Sequence, residues 1–295
     1  MKGAKVNMMP EKELQDELKT FLSEDVGQGD ITTDAIVPQG TDIHAQIIVK
    51  EPAVICGILE AKVFFEMLGI NFSKKVNDGD DIAAGTVVAE VEGDGRSILT
   101  AERTVLNILM RMSGIATETR RLVKEVQKIS PKVRIAATRK TAPGLRYFDK
   151  RAIVVGGGDP HRMRLDDAFL IKDNHIMIAG GIRKAVKRAR SSANSSKKIE
   201  VEAKTREQAV QAAKLGVDIV MLDNMTIEEA EETMRELVNK NLRQNVFIEI
   251  SGGVTQANLV SYARLEPDII SLGSLTHSVK AIDMSLEVVE VRTPK

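Results

Sequence analysis

Residues 199–223, IEVEAKTREQAVQAAKLGVDIVMLD, contain one complete strand–helix–strand repeat, and their reading decides the fold. An apolar run at 199–201 ends in Glu202. Thr205 and Gln208 then form a capping box, in which the backbone N–H groups left open at a helix start are satisfied reciprocally. Gly216 stops that helix, because glycine accepts the left-handed conformation that ends many helices. A second apolar run, 219–222, ends in Asp223. Strands alternating with helices in this way predict a parallel sheet with the helices outside it.

The same alternation extends in both directions from about residue 131. Seven short apolar runs are recognisable: 135–138, 152–155, 168–171, 199–201, 219–222, 246–250 and 269–272. They run into Arg139-Lys140, Gly156-Gly157-Gly158 with His161-Arg162, Lys172, Glu202, Asp223, Ser251-Gly252-Gly253 and Gly273-Ser274. A second capping box, Thr226 with Glu229, opens the helix after Asp223. Seven runs instead of eight predict an α/β fold built on an incomplete, seven-stranded α/β barrel; a doubly wound open sheet is the architectural alternative. Side chains at the C-terminal ends of barrel strands converge on one face, where active sites of that fold sit. The rim would carry five cations or potential cations, two carboxylates and two glycine turns. That set suits an anionic, phosphorylated substrate with a divalent metal.

Before residue 131 the texture differs. Leu14, Leu18, Phe21 and Leu22 follow helical spacing after Pro10. Short β runs with glycine turns then fill residues 43–98, interrupted by a helix at 58–68, and a long helix covers about 100–130. This texture looks like a compact α+β domain.

Composition narrows the function. Lys plus Arg and Asp plus Glu number 42 each, so no global field favours nucleic acid or an anionic membrane. The basic stretch 183–198, with seven Lys or Arg residues, reads as a solvated helix face. Trp is absent and aromatic residues are few, which leaves little to stack on bases. No apolar run approaches the roughly 18 residues of a membrane span, and residues 1–5 lack a signal-peptide core. The single cysteine, Cys56, lies in an apolar run and reads as core packing. The expectation is a soluble, cytoplasmic protein.

Individual residues then suggest chemistry. Glu202 and Asp223, both following strands, could together hold Mg²⁺, which takes oxygen ligands and keeps waters alongside substrate phosphates; they could equally be strand-end acids paired with Lys140 or Lys172. The Ser251-Gly252-Gly253 and Gly273-Ser274 turns could cradle a phosphate with their backbone N–H groups. Arg139, Lys140, Arg162 and Lys172, with His161, make the opposite side positive. A lysine in such a crowd could also serve as a Schiff-base nucleophile, so an aldolase using Lys172 or Lys140 is a rival reading. Residues 76–93 have the hairpin texture of a lipoyl or biotinyl carrier, but no lysine sits at a hairpin tip. His44 reads as structural or exposed, and His175 and His277 as loop groups near the rim.

At these residues the chain resembles the quinolinate phosphoribosyltransferase family. The matching segments are Glu24-Asp25-Val26-Gly27-Gln28-Gly29-Asp30-Ile31-Thr32-Thr33, Glu102-Arg103-Thr104, Ser113-Gly114-Ile115-Ala116-Thr117, and Thr138-Arg139-Lys140-Thr141-Ala142-Pro143-Gly144-Leu145-Arg146. The glycine, Lys172, Glu202, Leu222-Asp223-Asn224 and Ser251-Gly252-Gly253 motifs quoted above, with Ser271-Leu272-Gly273, complete the match over about residues 20–280. Ala142 and Pro160 depart from the family's usual threonine and asparagine without removing a charge.

The resemblance implies an N-terminal α/β sandwich domain over 1–113, a barrel domain over 114–275 and a C-terminal helix at 276–295 returning to the first domain. It also implies a homodimer converting quinolinate and phosphoribosyl pyrophosphate to nicotinate mononucleotide, pyrophosphate and carbon dioxide. It implies that Arg139, His161, Arg162, Lys172 and an Arg103 contributed across the dimer interface bind the two carboxylates of quinolinate. Glu202 and Asp223 would hold the ribose hydroxyls and Mg²⁺-pyrophosphate, and Lys140 would neutralise pyrophosphate or a substrate carboxylate. Ser251, Gly252, Gly273 and His277 would take the 5′-phosphate. Relatives acting on nicotinate or another small acid are the near alternative.

Overall fold

The computed structural model describes residues 8–192 and 196–293. Residues 1–5, read above for a signal peptide, lie outside this range, as do residues 193–195 of the basic stretch and the last two residues of the expected C-terminal helix. The chain divides into two compact units.

The first unit runs up to Arg120, includes Pro143–Gly157, and takes in the residues from Ser278 on. Its elements are α1 (Glu11–Val26), α2 (Ile31–Ile36), β1 (Asp42–Val49), β2 (Ala53–Val54), α3 (Ile58–Met67), β3 (Asn71–Lys74), β4 (Asp81–Ile82) and β5 (Val87–Asp94). Helix α4 (Gly95–Gln127) starts here, and α5 (Arg146–Val155) belongs here too. Strand β1 shows why a sheet forms: its residues alternate, with Ile43, Ala45, Ile47 and Val49 buried and their neighbours more exposed. Helix α3 packs against α1 and β3, burying Phe64 and Phe65, each contributing about 1.5–3 kcal/mol by burial. Cys56 is buried and unpaired, as its apolar run predicts.

The second unit comprises Arg121–Ala142 and Gly158–His277. It carries β6 (Arg134–Ala136), β7 (Phe169–Ile171), α6 (Asp173–Ala179), α7 (Ile182–Arg190), β8 (Ile199–Ala203), α8 (Arg206–Lys214), β9 (Ile219–Asp223), α9 (Ile227–Asn239), β10 (Phe247–Ser251), α10 (Gln256–Ala263), β11 (Ile269–Ser271) and α11 (Ser274–His277). The strands form one parallel sheet in the order β6-β11-β10-β9-β8-β7, with no ladder joining β6 to β7. The barrel is therefore incomplete, and among the described residues it has six strands, not the expected seven. Residues 152–155 are the last turn of α5. A four-residue apolar run has too little length to tell a buried strand from a buried helix turn. Where the extra strand would follow β6, a single bridge joins Ala136 to Asp159. Both capping boxes are present in part or whole: Thr205 accepts from the Gln208 N–H, and Thr226 and Glu229 cap each other.

The C-terminal segment departs from expectation as well. It returns to the first unit as strand β12 (Met284–Arg292), not as a helix, and pairs antiparallel with β1 to complete the sheet β12-β1-β5-β3. Its sequence, with Leu286, Val288, Val289 and Val291, is rich in the branched residues that suit strands. Among the described residues no helix is long and apolar enough to cross a membrane.

Candidate active site

Strand geometry explains the site. Side chains alternate faces along a strand, so in β8 Glu200 and Glu202 point opposite to Ile199, Val201 and Ala203. The register sets Glu202 beside Met221 and Ser251 beside Asp223, so the polar ends of β8, β9 and β10 lie together. They open into a cavity of about 380 Å³ lined by Thr138, Arg139, Lys140, His161, Arg162, Lys172, Glu202, Asp223, Ser251 and Gly252, with Asn224, Glu249, Gly253 and Ser271 completing the wall. Of the twelve site residues expected from the sequence, nine line this mouth; Gly273 and His277 lie against Lys140 beside it, and Arg103 does not line it.

The cationic side is built on β6, the Asp159 bridge and β7. Arg139 is half-buried, and its Nε is buried with no hydrogen-bond partner among the described residues. Arg162 donates from Nη1 to the Ala168 carbonyl at 3.0 Å. Burial, and then the Arg139 charge nearby, lower the Arg162 pKa from its ordinary value. The guanidiniums are thus close enough to repel. Lys172 forms an ion pair with Glu202, the pairing that strand-end acids were given as their alternative. The Lys172 N–H also donates to His175 Nδ1 at 3.0 Å, which makes His175 a cap at the start of α6.

The opposite side is shaped by glycine. Gly252 and Gly253 have φ of +77° and +63°, the left-handed region, and a Cβ on Gly252 would collide with the Asn224 side chain. Asn224, itself left-handed at φ +56°, donates its N–H to the Ser251 carbonyl at 2.9 Å. The turns after β9 and β10 therefore interlock, and consecutive left-handed glycines turn backbone N–H groups outward as an anion nest does. Gly273 leaves room for Lys140 and His277, whose side chains would lie 3.0 and 3.1 Å from a Cβ there. Thr276 donates its hydroxyl to the Lys140 carbonyl at 2.8 Å. Arg103 is exposed on α4 in the first unit and does not line this cavity.

Sequence reading missed Glu200 and Glu249, each counted inside an apolar run. Both are buried, and both face His161 Nε2, at 3.4 and 3.1 Å. Burial opposes a proton on the ring, but hydrogen bonds and charge from Glu200 and Glu249 outweigh it and raise the His161 pKa. Glu200 is raised by burial and by the charge of Glu249. The two carboxylates thus hold a proton at His161 Nε2. His161 Nδ1 accepts the Arg162 N–H at 2.8 Å, so that proton resides on the side of Nε2 and the carboxylates. A charged residue recurring on one face of an apolar strand, as Glu200 and Glu202 do, was the available signal.

Glu202 and Asp223 are hard oxygen donors on adjacent strands, a pair and not a cage. That fits Mg²⁺, which keeps waters and substrate oxygens in its remaining positions.

Known proteins are similar to this chain. The family model described as quinolinate phosphoribosyl transferase, C-terminal domain, matches residues 115–287, and that of the N-terminal domain matches residues 30–113. The chain is 44% identical over 275 residues to a protein of Methanothermobacter thermautotrophicus named probable nicotinate-nucleotide pyrophosphorylase (carboxylating), covering 93% of this chain and 99% of that one. It is 39% identical over 273 residues to a Bacillus subtilis protein of the same name, covering 92% of each. The nicotinate-nucleotide pyrophosphorylase structure from Francisella tularensis matches with a TM-score of 0.88 at 37% identity, over 97% of this chain and 99% of that one.

Proposed function

Since the chain belongs to the quinolinate phosphoribosyltransferase family, we propose that the mouth of its barrel carries that family's reaction. The enzyme transfers the phosphoribosyl group of phosphoribosyl pyrophosphate to quinolinate with loss of carbon dioxide. Its products are nicotinate mononucleotide, for NAD biosynthesis, and pyrophosphate. The observation that carries the assignment to this mouth is the Arg139–Arg162 pair: two half-buried guanidiniums that repel each other, one with a buried donor lacking an acceptor. A planar acid with two adjacent carboxylates neutralises both, and guanidinium forks bind carboxylates bidentately.

Arg139 and Arg162 hold the acceptor, with Lys172 available once its pairing with Glu202 is exchanged for substrate. Glu202 and Asp223 orient the ribose hydroxyls, Lys140 faces the leaving pyrophosphate, and the Ser251, Gly252 and Gly273 turns with His277 take the 5′-phosphate. Mg²⁺ held by Glu202 and Asp223 would supply positive charge for the pyrophosphate. With the donor so fixed, the ring nitrogen attacks the anomeric carbon as the bond to pyrophosphate breaks. Charge preorganised around the oxocarbenium-like ribose stabilises that state. The new cationic ring nitrogen then accepts the electron pair released when the adjacent carboxylate departs as carbon dioxide, and that ring carbon takes up a proton.

A homodimer in which Arg103 reaches the partner's acceptor completes the reading: Arg103 is exposed on α4 and lies outside its own chain's mouth. A cytoplasmic setting suits the buried, unpaired Cys56. The nicotinate alternative leaves one guanidinium unneutralised. Of the two lysines the aldolase alternative could use, Lys172 is paired with a carboxylate, and Lys140 lies against Gly273 and His277.

The test is a product assay with phosphoribosyl pyrophosphate and Mg²⁺, offering quinolinate and nicotinate in parallel. Nicotinate mononucleotide forming from quinolinate alone is the expected result. Formation from nicotinate alone would overturn the diacid assignment, and borohydride trapping of substrate on Lys172 or Lys140 would favour the aldolase.

A further inference from the structure

The floor of the mouth holds groups that the roles above leave unused. The side chains of Glu200 and Glu249 are 4% and 0% exposed. One oxygen of each, Oε1, is buried with no hydrogen-bond partner among the described residues. Their other oxygens face His161 Nε2, while His161 Nδ1 accepts the Arg162 N–H at 2.8 Å. Turning the ring over would place carbon atoms at both contacts, so its orientation is determined by its bonding. With Nδ1 an acceptor, the ring proton sits on Nε2 and is donated to Glu249.

Two consequences follow from that tautomer. His161, Glu200 and Glu249 are close enough together to hold a metal ion, but a ring nitrogen that bears a proton cannot ligate one. Neither ring nitrogen is left over for a substrate. What the ring does reach is the main chain of Arg162. The backbone there is under load: His161 has φ +55°, a left-handed conformation that is strained for a residue with a side chain and persists where the surroundings enforce it. The enforcing contacts are the His161 N–H donating to Asp159 Oδ1 at 2.8 Å and Arg134 holding Asp159 Oδ2 at 2.7 Å. On the side-chain end they are Glu249 and Glu200.

We propose that Glu249, with Glu200 beside it, is a positioning residue for the acceptor: it locks the His161 ring, and the ring locks the Arg162 main chain. The guanidinium of Arg162 is thereby held where it meets the acceptor's carboxylate. The proposal rests on the reading above only for the acceptor's name.

Glu249→Ala removes the acceptor of the Nε2 proton, whereas Glu249→Gln offers a carbonyl oxygen in its place. In Glu249→Ala the KM for quinolinate should rise about tenfold or more, since small misplacements of binding groups have large effects. The KM for phosphoribosyl pyrophosphate should move less than about twofold, and Glu249→Gln should recover most of the loss. A donor KM rising in step, an unchanged quinolinate KM, or a Gln variant as defective as Ala would each overturn the proposal. Should Glu249→Ala fail to fold, nitrogen-15 NMR of the wild-type His161 ring decides: Nε2 protonated and Nδ1 bare supports it, and a proton on Nδ1, alone or together with one on Nε2, refutes it. If the wild-type enzyme turns over only nicotinate, the diacid reading fails, while the same variants assayed with nicotinate still test the positioning role.

Discussion

A buried carboxylate costs several kcal/mol unless partners offset it, and two clusters among the described residues show how. Glu200 and Glu249 share His161 and a proton. Glu60, on α3, shares the Arg151 guanidinium with Asp78, at 2.9 Å from Arg151 Nη1. Burial wins at Glu60: it is pushed up to about 7 although Arg151 pulls it down, with Asp78 adding to the rise. Arg151, although buried, is raised by Glu60 and Asp78. A carboxyl with a folded value above its unfolded one stabilises most fully below the unfolded value, near 4.5, and loses that contribution as pH rises through about 7. Unfolding free energy should therefore decline across that interval by an order of 3 kcal/mol from this group. Glu60→Gln should flatten the decline in urea titrations at several pH values. An unaltered slope in the variant would assign the effect elsewhere.

At the scale of elements, close approach of backbones is what separates a tolerant position from an intolerant one. Gly114 lies in α4 where the chain at Lys280 and Ala281 crosses it; a Cβ there would overlap the Lys280 carbonyl. The Ile282 N–H donates to the Met110 carbonyl at 3.0 Å, holding the crossing segment against the helix just before β12 begins. Overpacking of this kind costs typically 1–3 kcal/mol, and here the obstacle is main chain, which yields less than a flexible side chain. Gly114→Ala should lower the melting temperature by several degrees, as about 2 kcal/mol does in a chain of this size. A melting temperature equal to the wild type's would mean that helix and crossing segment do not meet so closely. The same element corrects an expectation: the resemblance implies a helix over residues 276–295, but the edge of β1 needs a partner, and β12 supplies it from Asp42 opposite Arg292 to Val49 opposite Met284.

For the whole molecule, equal numbers of acidic and basic residues leave no net field, so substrate recognition must come from local charge separation. The mouth has that, with arginines and lysines on the β6–β7 side and acids and glycine turns on the β8–β10 side. The proposed dimer adds Arg103. Arg103→Ala and Lys172→Ala should each be inactive alone. After subunit exchange, an equal mixture should regain about a quarter of wild-type activity, because half the dimers are hybrids with one intact site of two. No recovery, with hybrids demonstrated by mass, would remove Arg103 from the shared site.

Much of this was legible in the sequence, for local reasons. Capping boxes, Gly216 and the short apolar runs define strand–helix units, and a strand's end is marked by where its apolar run stops. Arg139, Lys140, Lys172, Glu202, Asp223, Ser251 and Gly252 were therefore identifiable as neighbours before any coordinates. Tertiary structure alone decided the rest. Residues 152–155 became helix because α5 buries Tyr147, Phe148, Ala152 and Ile153 on its own packing surface. The C-terminus became a strand because a distant edge required hydrogen bonds. Glu200 and Glu249 look, in a strand, like residues facing solvent. Only the curvature of the sheet makes that face an interior, and only the left-handed turn at His161 brings in the ring that holds them there.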